Sequence, residues 1–324
     1  MTQLVAPTIH DVFKARQVIR NYIEPTKLLR PWALSERLGC DVYLKCENLH
    51  PIGAFKIRGG INIMSHLSEK ERQTGVVTAS SGNHGQSIAY SANLFGVKSV
   101  VYVPEAANAF KVAAMRQMGA EVRLVGRDFE ESREAAEEAS RKEGFRFIHS
   151  INEPLLFAGV GTMALEILDE VPDLDTIIVP VGGGSGVGGT GIVCKSIRPE
   201  LEVIGVQAEA APAVYLSWKS GKLATTGPVS TFADGLATKQ SYELALNVLR
   251  RVVDDMVLVT EEEMEKAILL LMETAHQVAE GAGSAATAAA CKIKERLQGK
   301  KVAVILSGGN LTMDKLAEIV KKHM

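Results

Sequence analysis

Short apolar runs rich in β-branched residues alternate along the chain with stretches of helical spacing. The runs cover residues 42–44, 76–78, 99–103, 122–125, 176–181, 203–206, 256–259 and 302–306. Almost every position in them is apolar, which is the pattern of strands covered on both faces. Between them, apolar residues recur three and four apart over 110–118, 129–142, 163–168 and 264–278, which predicts helices. The alanine-rich stretch 282–290 predicts one more, tightly packed. Alternation of strand and helix predicts an α/β fold of mainly parallel open sheets flanked by helices. No internal repeat and no proline-rich linker interrupts the pattern, so periodicity alone does not separate one sheet from two.

Composition narrows the function classes. Hydrophobic residues make up 46% of 324, enough for a sizeable core, and the net charge is only -2. No basic stripe points to nucleic acid, and no apolar run is long enough to span a bilayer. Cys40, Cys46, Cys194 and Cys291 show no C-x-x-C spacing, which predicts reduced thiols and a cytoplasmic protein. The N-terminus lacks the charged and apolar regions of a signal peptide. The histidines show no metal-ligand spacing, and no metal is expected.

Four short strings carry the chemistry. In Pro51-Ile52-Gly53-Ala54-Phe55-Lys56-Ile57-Arg58-Gly59, a lysine sits between an aromatic residue and a glycine, shortly after an apolar run and Lys45-Cys46-Glu47-Asn48. A desolvated lysine sheds its proton more easily and forms a Schiff base with a carbonyl. Ser80-Ser81-Gly82-Asn83-His84-Gly85-Gln86 links a strand to a helical stretch beginning at Ser87, with Ser81 expected as its cap. Unpaired N–H groups and the dipole at such a turn suit a carboxylate. Gly182-Gly183-Gly184-Ser185-Gly186-Val187-Gly188-Gly189 follows the run 176–181 and precedes a helix expected over 189–197. Consecutive glycine N–H groups curl around a phosphate with no side chain in the way. Gly184, Gly186 and Gly189 also satisfy G-x-G-x-x-G, with Glu209 as a ribose-binding acid, so a nicotinamide-binding oxidoreductase is the alternative from another class. The fourth string, Leu306-Ser307-Gly308-Gly309-Asn310, closes the last apolar run.

Together these strings, in this order, resemble the fold-type II pyridoxal-phosphate enzymes, and within them the serine/threonine dehydratases and serine racemases. The resemblance runs from about Thr26 to Asn310. It implies a two-lobed, tryptophan synthase β-like fold, with a large cofactor domain over 1–70 and 154–324 and a small substrate-side domain over 71–153. It implies pyridoxal 5'-phosphate on Lys56, packed by Phe55, with Asn83 on the ring hydroxyl and Ser307 at the ring nitrogen. The phosphate falls to Gly182, Gly183, Gly184, Ser185 and Gly186, and Gly235 and Glu280 lie beside the cofactor. Ser80, Ser81, His84 and Gly85 fall on the substrate side, His84 as a hydrogen-bonded structural residue. A neutral hydroxyl at the ring nitrogen favours elimination over a long-lived carbanion.

The implied reaction is β-elimination. Lys56 takes the α-proton of L-threonine or L-serine, the β-hydroxyl leaves, and a 2-oxo acid and ammonia result. Ser81 matches the second acid of the racemases, so amino-acid racemisation is the alternative within the same chemistry. Three departures stand out: Ser185 and Gly186 replace the usual loop residues, Tyr215 falls where some racemases place a metal-binding aspartate although Glu209 fits their glutamate, and the stretch 149–154 differs from the usual substrate-side pattern, with Asn152 out of register with the racemases. The family is usually homodimeric. The chain ends soon after Asn310, so the regulatory domain of the longer biosynthetic enzymes is not expected.

Overall fold

The computed structural model describes residues 4–323. Ten strands occur among them: β1 (Leu28–Leu29), β2 (Asp41–Cys46), β3 (Val76–Ala79), β4 (Ser99–Val103), β5 (Glu121–Leu124), β6 (Arg146–Phe147), β7 (Thr176–Pro180), β8 (Glu202–Ala208), β9 (Asp255–Val259) and β10 (Lys301–Leu306). They form two sheets. One has the order β1-β2-β10-β7-β8-β9 and the other β5-β4-β3-β6. Every pairing is parallel except β1 with β2. β3, β4 and β7 are buried at every position, as the unbroken apolar runs require.

The chain folds as two compact units. One takes the N-terminal segment through Ile23 together with Lys56–Gly159, and contains the four-stranded sheet. The other takes Glu24–Phe55 and the chain from Val160 onward, and contains the six-stranded sheet. These boundaries differ from the division at 70/71 and 153/154 read from the family pattern. The helix Lys56–Ser65 is the reason: Gly59 and Gly60 let it close on its neighbours in the first unit. A Cβ at Gly59 would lie 2.7 Å from Leu156, and one at Gly60 would overlap the hydroxyls of Ser87 and Ser91. The helix therefore buries Ile57 through Met64 without a break.

In the second unit the core gathers Val42, Leu44, Val302, Val304 and Leu306 from the sheet with the alanines of Gly281–Lys292. Ten consecutive residues of that helix, Gly281 to Ala290, are buried. Small side chains let it lie close against the strands.

Several helices begin earlier than apolar spacing suggests. Glu261–Ala275 starts on three glutamates, with Thr260 and Glu263 forming a reciprocal cap. Pro154–Glu170 is far longer than the expected 163–168 and runs across the boundary between the units.

Candidate active site

The expected site residues fall into two groups, one in each unit. The second unit holds the glycine loop. Gly182 and Gly183 leave β7, and Gly184 caps the helix Ser185–Ile197 at φ 104, with no side-chain cap. The helix starts four residues before the expected position, so Ser185 and Gly186 belong to its first turn, and the loop proper is three glycines long. N–H groups at such an N-terminus lack intrahelical acceptors, and the dipole adds partial positive charge. A Cβ at Gly182 would overlap the Gly235 carbonyl oxygen, and one at Gly186 would sit 3.3 Å from the Phe55 ring. Bare backbone is thus required at Gly182, whereas a side chain at Gly186 would press on the Phe55 ring. Glu209, weighed as a ribose-binding acid, is exposed just beyond β8.

Phe55 and Ser307 are tied together in this unit. Phe55 N–H donates to the Ser307 carbonyl at 3.1 Å, and Ala54 bridges Gly308. Ser307 is buried, and its hydroxyl donates to the Ala282 carbonyl at 3.3 Å. The oxygen keeps its lone pairs. Glu280 is the N-cap residue of Gly281–Lys292 but forms no side-chain cap. Its Oε1 lies where a Cβ at Gly308 would come within 2.5 Å.

The first unit holds the lysine and the Ser-Gly-Asn-His string. Lys56 is the first residue of its helix and is half-buried. Burial brings its amine down to about 8. Its carbonyl accepts the Ser87 hydroxyl at 2.7 Å, which ties the lysine's backbone to the helix Asn83–Leu94. That helix is capped by Gly82, not Ser81 as expected from sequence, and no side chain closes the cap. Ser80 Oγ accepts the Gly82 N–H at 3.2 Å instead. Ser80, Ser81 and Asn83 are half-buried, while Gly85 is packed so that a Cβ would overlap the Ser80 carbonyl.

His84 is buried, and its Nε2 lies 3.1 Å from Thr78 Oγ1. Thr78 spends its only proton on the Ile148 carbonyl at 2.8 Å, so it must accept from His84. Nε2 therefore carries the imidazole proton, and the bare Nδ1 is buried without a hydrogen-bond partner. Burial, then the charges of Lys56 and His149, hold this ring neutral down to about 3, against the Ile148 carbonyl. His149 is fixed in the same tautomer, with its proton on Nε2. Its Nδ1 accepts the N–H groups of Ile151 and Asn152 at 3.0 and 2.9 Å. Burial and then the Arg133 charge bring His149 to about 4, Glu137 opposing. Thr78 and His149 were not singled out from sequence as site residues, because a threonine in a strand and a lone histidine carry no spacing signal.

Residues 19–308 match the family described as pyridoxal-phosphate dependent enzyme. The chain belongs to that family. Among pyridoxal-phosphate dependent enzymes, it is 42% identical to an L-threonine ammonia-lyase of Thermotoga maritima over 317 residues, 98% of this chain and 79% of the relative. It is 37% identical to an L-threo-3-hydroxyaspartate ammonia-lyase of Saccharomyces cerevisiae, covering 98% of this chain and 97% of that one. The structure of maize serine racemase superposes with a TM-score of 0.93 at 30% identity, over 98% of both chains. The fold is therefore the expected mainly parallel α/β fold of the fold-type II enzymes, and the cofactor is pyridoxal phosphate rather than a dinucleotide. The residues fit the cofactor. Three glycines lead to a helix N-terminus that no side chain caps, a backbone arrangement whose N–H groups suit a phosphate.

Proposed function

We propose that this enzyme converts L-threonine, L-serine or both to a 2-oxo acid and ammonia by β-elimination. The observation that carries the reading is Lys56, whose amine burial brings down to about 8, one peptide bond beyond a phenylalanine held against Ser307. A lysine so depressed has a usable neutral fraction near neutral pH. The threonine ammonia-lyase at 42% identity supports the choice of reaction and substrate. Bound pyridoxal phosphate supplies the electron sink that makes the α-proton acidic.

The chain's own residues take these roles. Lys56 attaches the cofactor and, once released, takes the α-proton. Gly182, Gly183, Gly184, Ser185 and Gly186 bind the phosphate through N–H groups, and Phe55 packs the ring. Asn83 serves the ring hydroxyl, and Gly235 and Glu280 flank the cofactor. Ser307 offers a neutral hydroxyl to the ring nitrogen, which keeps the sink moderate. Ser80, Ser81 and Gly85 hold the substrate carboxylate at the Gly82-capped helix. His84 supports this turn as a neutral ring.

Replacing Lys56 with alanine should abolish the visible absorbance of the purified protein and 2-oxo acid formation together. Intact activity in that variant refutes the proposal. A second reading, amino-acid racemisation, is favoured by the likeness to maize serine racemase and by Ser81. Chiral chromatography of L-serine incubations decides it: D-serine that disappears in Ser81→Ala supports racemisation.

Among the described residues no helix is long and apolar enough to cross a membrane. A cytoplasmic location is proposed on the four free cysteines. A homodimer is proposed on the family likeness, with the exposed Trp32 and Met313 as apolar side chains for a partner surface to cover. Light scattering of the eluted protein tests the assembly.

A further inference from the structure

One cluster of buried charges has no part in the chemistry above. Lys45, near the end of β2, is fully buried and pairs with Glu166 at 2.6 Å. Its Nζ also donates to the Thr26 carbonyl at 2.8 Å. Thr26 Oγ1 donates in turn to Glu47 Oε1 at 2.6 Å. The other oxygen of Glu47 lies 3.2 Å from His50 Nε2. Glu47 is fully buried, and Thr26 and His50 nearly so. A charge taken out of water persists only with partners at close range, so each member of this chain depends on the next.

The chain of contacts continues through the backbone. Gly53 N–H donates to the His50 carbonyl at 2.7 Å. Gly53 then turns the chain at φ 66, a conformation open to glycine, and its carbonyl accepts the Gly309 N–H at 2.9 Å. Asn310 Nδ2 donates to the Ile52 carbonyl at 2.9 Å. Ala54 bridges Gly308, and Phe55 N–H reaches the Ser307 carbonyl. All these residues belong to one unit.

We infer that Glu166, Lys45, Thr26, Glu47 and His50 are positioning residues: their buried network fixes the segment from β2 to Phe55 on the strand end that carries Ser307, and so sets where the chain enters Lys56. The inference rests on Lys56 and Ser307 as cofactor residues, and is independent of the choice of substrate.

The test uses the full-length protein loaded with pyridoxal phosphate. Thr26→Val removes only the hydroxyl that serves Glu47 and leaves the backbone carbonyl for Lys45. Glu47→Gln and Glu166→Gln neutralise one charge each, and Lys45→Met combined with Glu166→Met removes a pair. Cofactor affinity is read by titrating the visible band, and its environment by the pH midpoint of that band. Borohydride reduction and peptide mapping report the attachment site. Thr26→Val and Glu47→Gln should weaken cofactor binding about tenfold and move the midpoint, with the mass tag still on Lys56. The double variant should recover much of what Glu166→Gln loses, because no charge is left unpaired. Unchanged affinity and midpoint in variants that merely melt at lower temperature would overturn the inference. If Glu47→Gln does not fold, Thr26→Val decides alone. A tag away from Lys56 in the unaltered protein would overturn the cofactor reading instead, which keeps the two failures distinct.

Discussion

His84 allows a test that needs neither cofactor nor substrate. In the unfolded chain its imidazole takes a proton near the ordinary 6.5, but in the folded chain only near 3. Between these values the unfolded state holds the extra proton, so stability falls as pH drops below 6.5, and the loss levels off near 3. At about pH 5 the loss from this ring is about 2 kcal/mol. His149, brought to about 4, contributes in the same direction. The measurement is urea unfolding of the unaltered protein and of His84→Gln, each at about pH 8 and about pH 5. The glutamine variant should lose about 2 kcal/mol less than the parent between the two conditions. The cost of disturbing the Thr78 hydrogen bond cancels, because each protein is compared with itself. Equal losses in the two proteins would refute a buried neutral imidazole. So would an NMR titration placing the His84 ring near its ordinary value in the folded protein.

Three further outcomes are expected. Gly182→Ala forces a methyl into the Gly235 carbonyl, so absorbance titration should find cofactor binding lost while the fold is kept. Burial would raise the Glu265 carboxyl, but hydrogen bonds from Lys322, His323 and Lys315 outweigh it and bring it to about 2. Its depressed value means stability present above 4.5 and lost as pH falls towards 2. Glu265→Gln should therefore cost about 2 kcal/mol at neutral pH, discounted for partly exposed partners, and thermal unfolding checks it. In cofactor-free protein, an amine-selective reagent should modify Lys56 with a midpoint near 8, and a midpoint near the ordinary 10.5 would contradict its burial.

Much of the fold is legible in the chain. All eight expected strand runs overlap strands. In β3, β4 and β7 burial on both faces requires the unbroken apolar run, whereas β5 holds no buried position. The two missed strands, Leu28–Leu29 and Arg146–Phe147, are two residues long and only half-buried, too short for any period to register. Helix starts are less legible. Glu261, Glu262 and Glu263 look like loop because a first turn needs acids and caps, not apolar spacing. The helix ends before the expected 278 because His276 adopts a left-handed conformation at φ 54. The glycine string reads as a loop by composition, yet most of it is helix, and that helix packs closely beyond the string, where a Cβ at Gly191 would lie 2.5 Å from Val252.

What the amino-acid order determined by itself is the set of chemical groups and their spacing. A lysine behind a phenylalanine, a Ser-Gly-Asn-His turn, a glycine string and a Ser-Gly-Gly strand end are local features, specified by neighbours in the chain. What only the tertiary structure decided is the state of those groups. Lys56 is an ordinary amine until burial lowers it, and His84 has no defined tautomer until Thr78 is committed to Ile148. Lys45 and Glu166 lie far apart in sequence and look like any two charges until they meet in the dry interior. Desolvation and hydrogen-bond commitment depend on everything that surrounds a group, and that surrounding is assembled from residues distant along the chain.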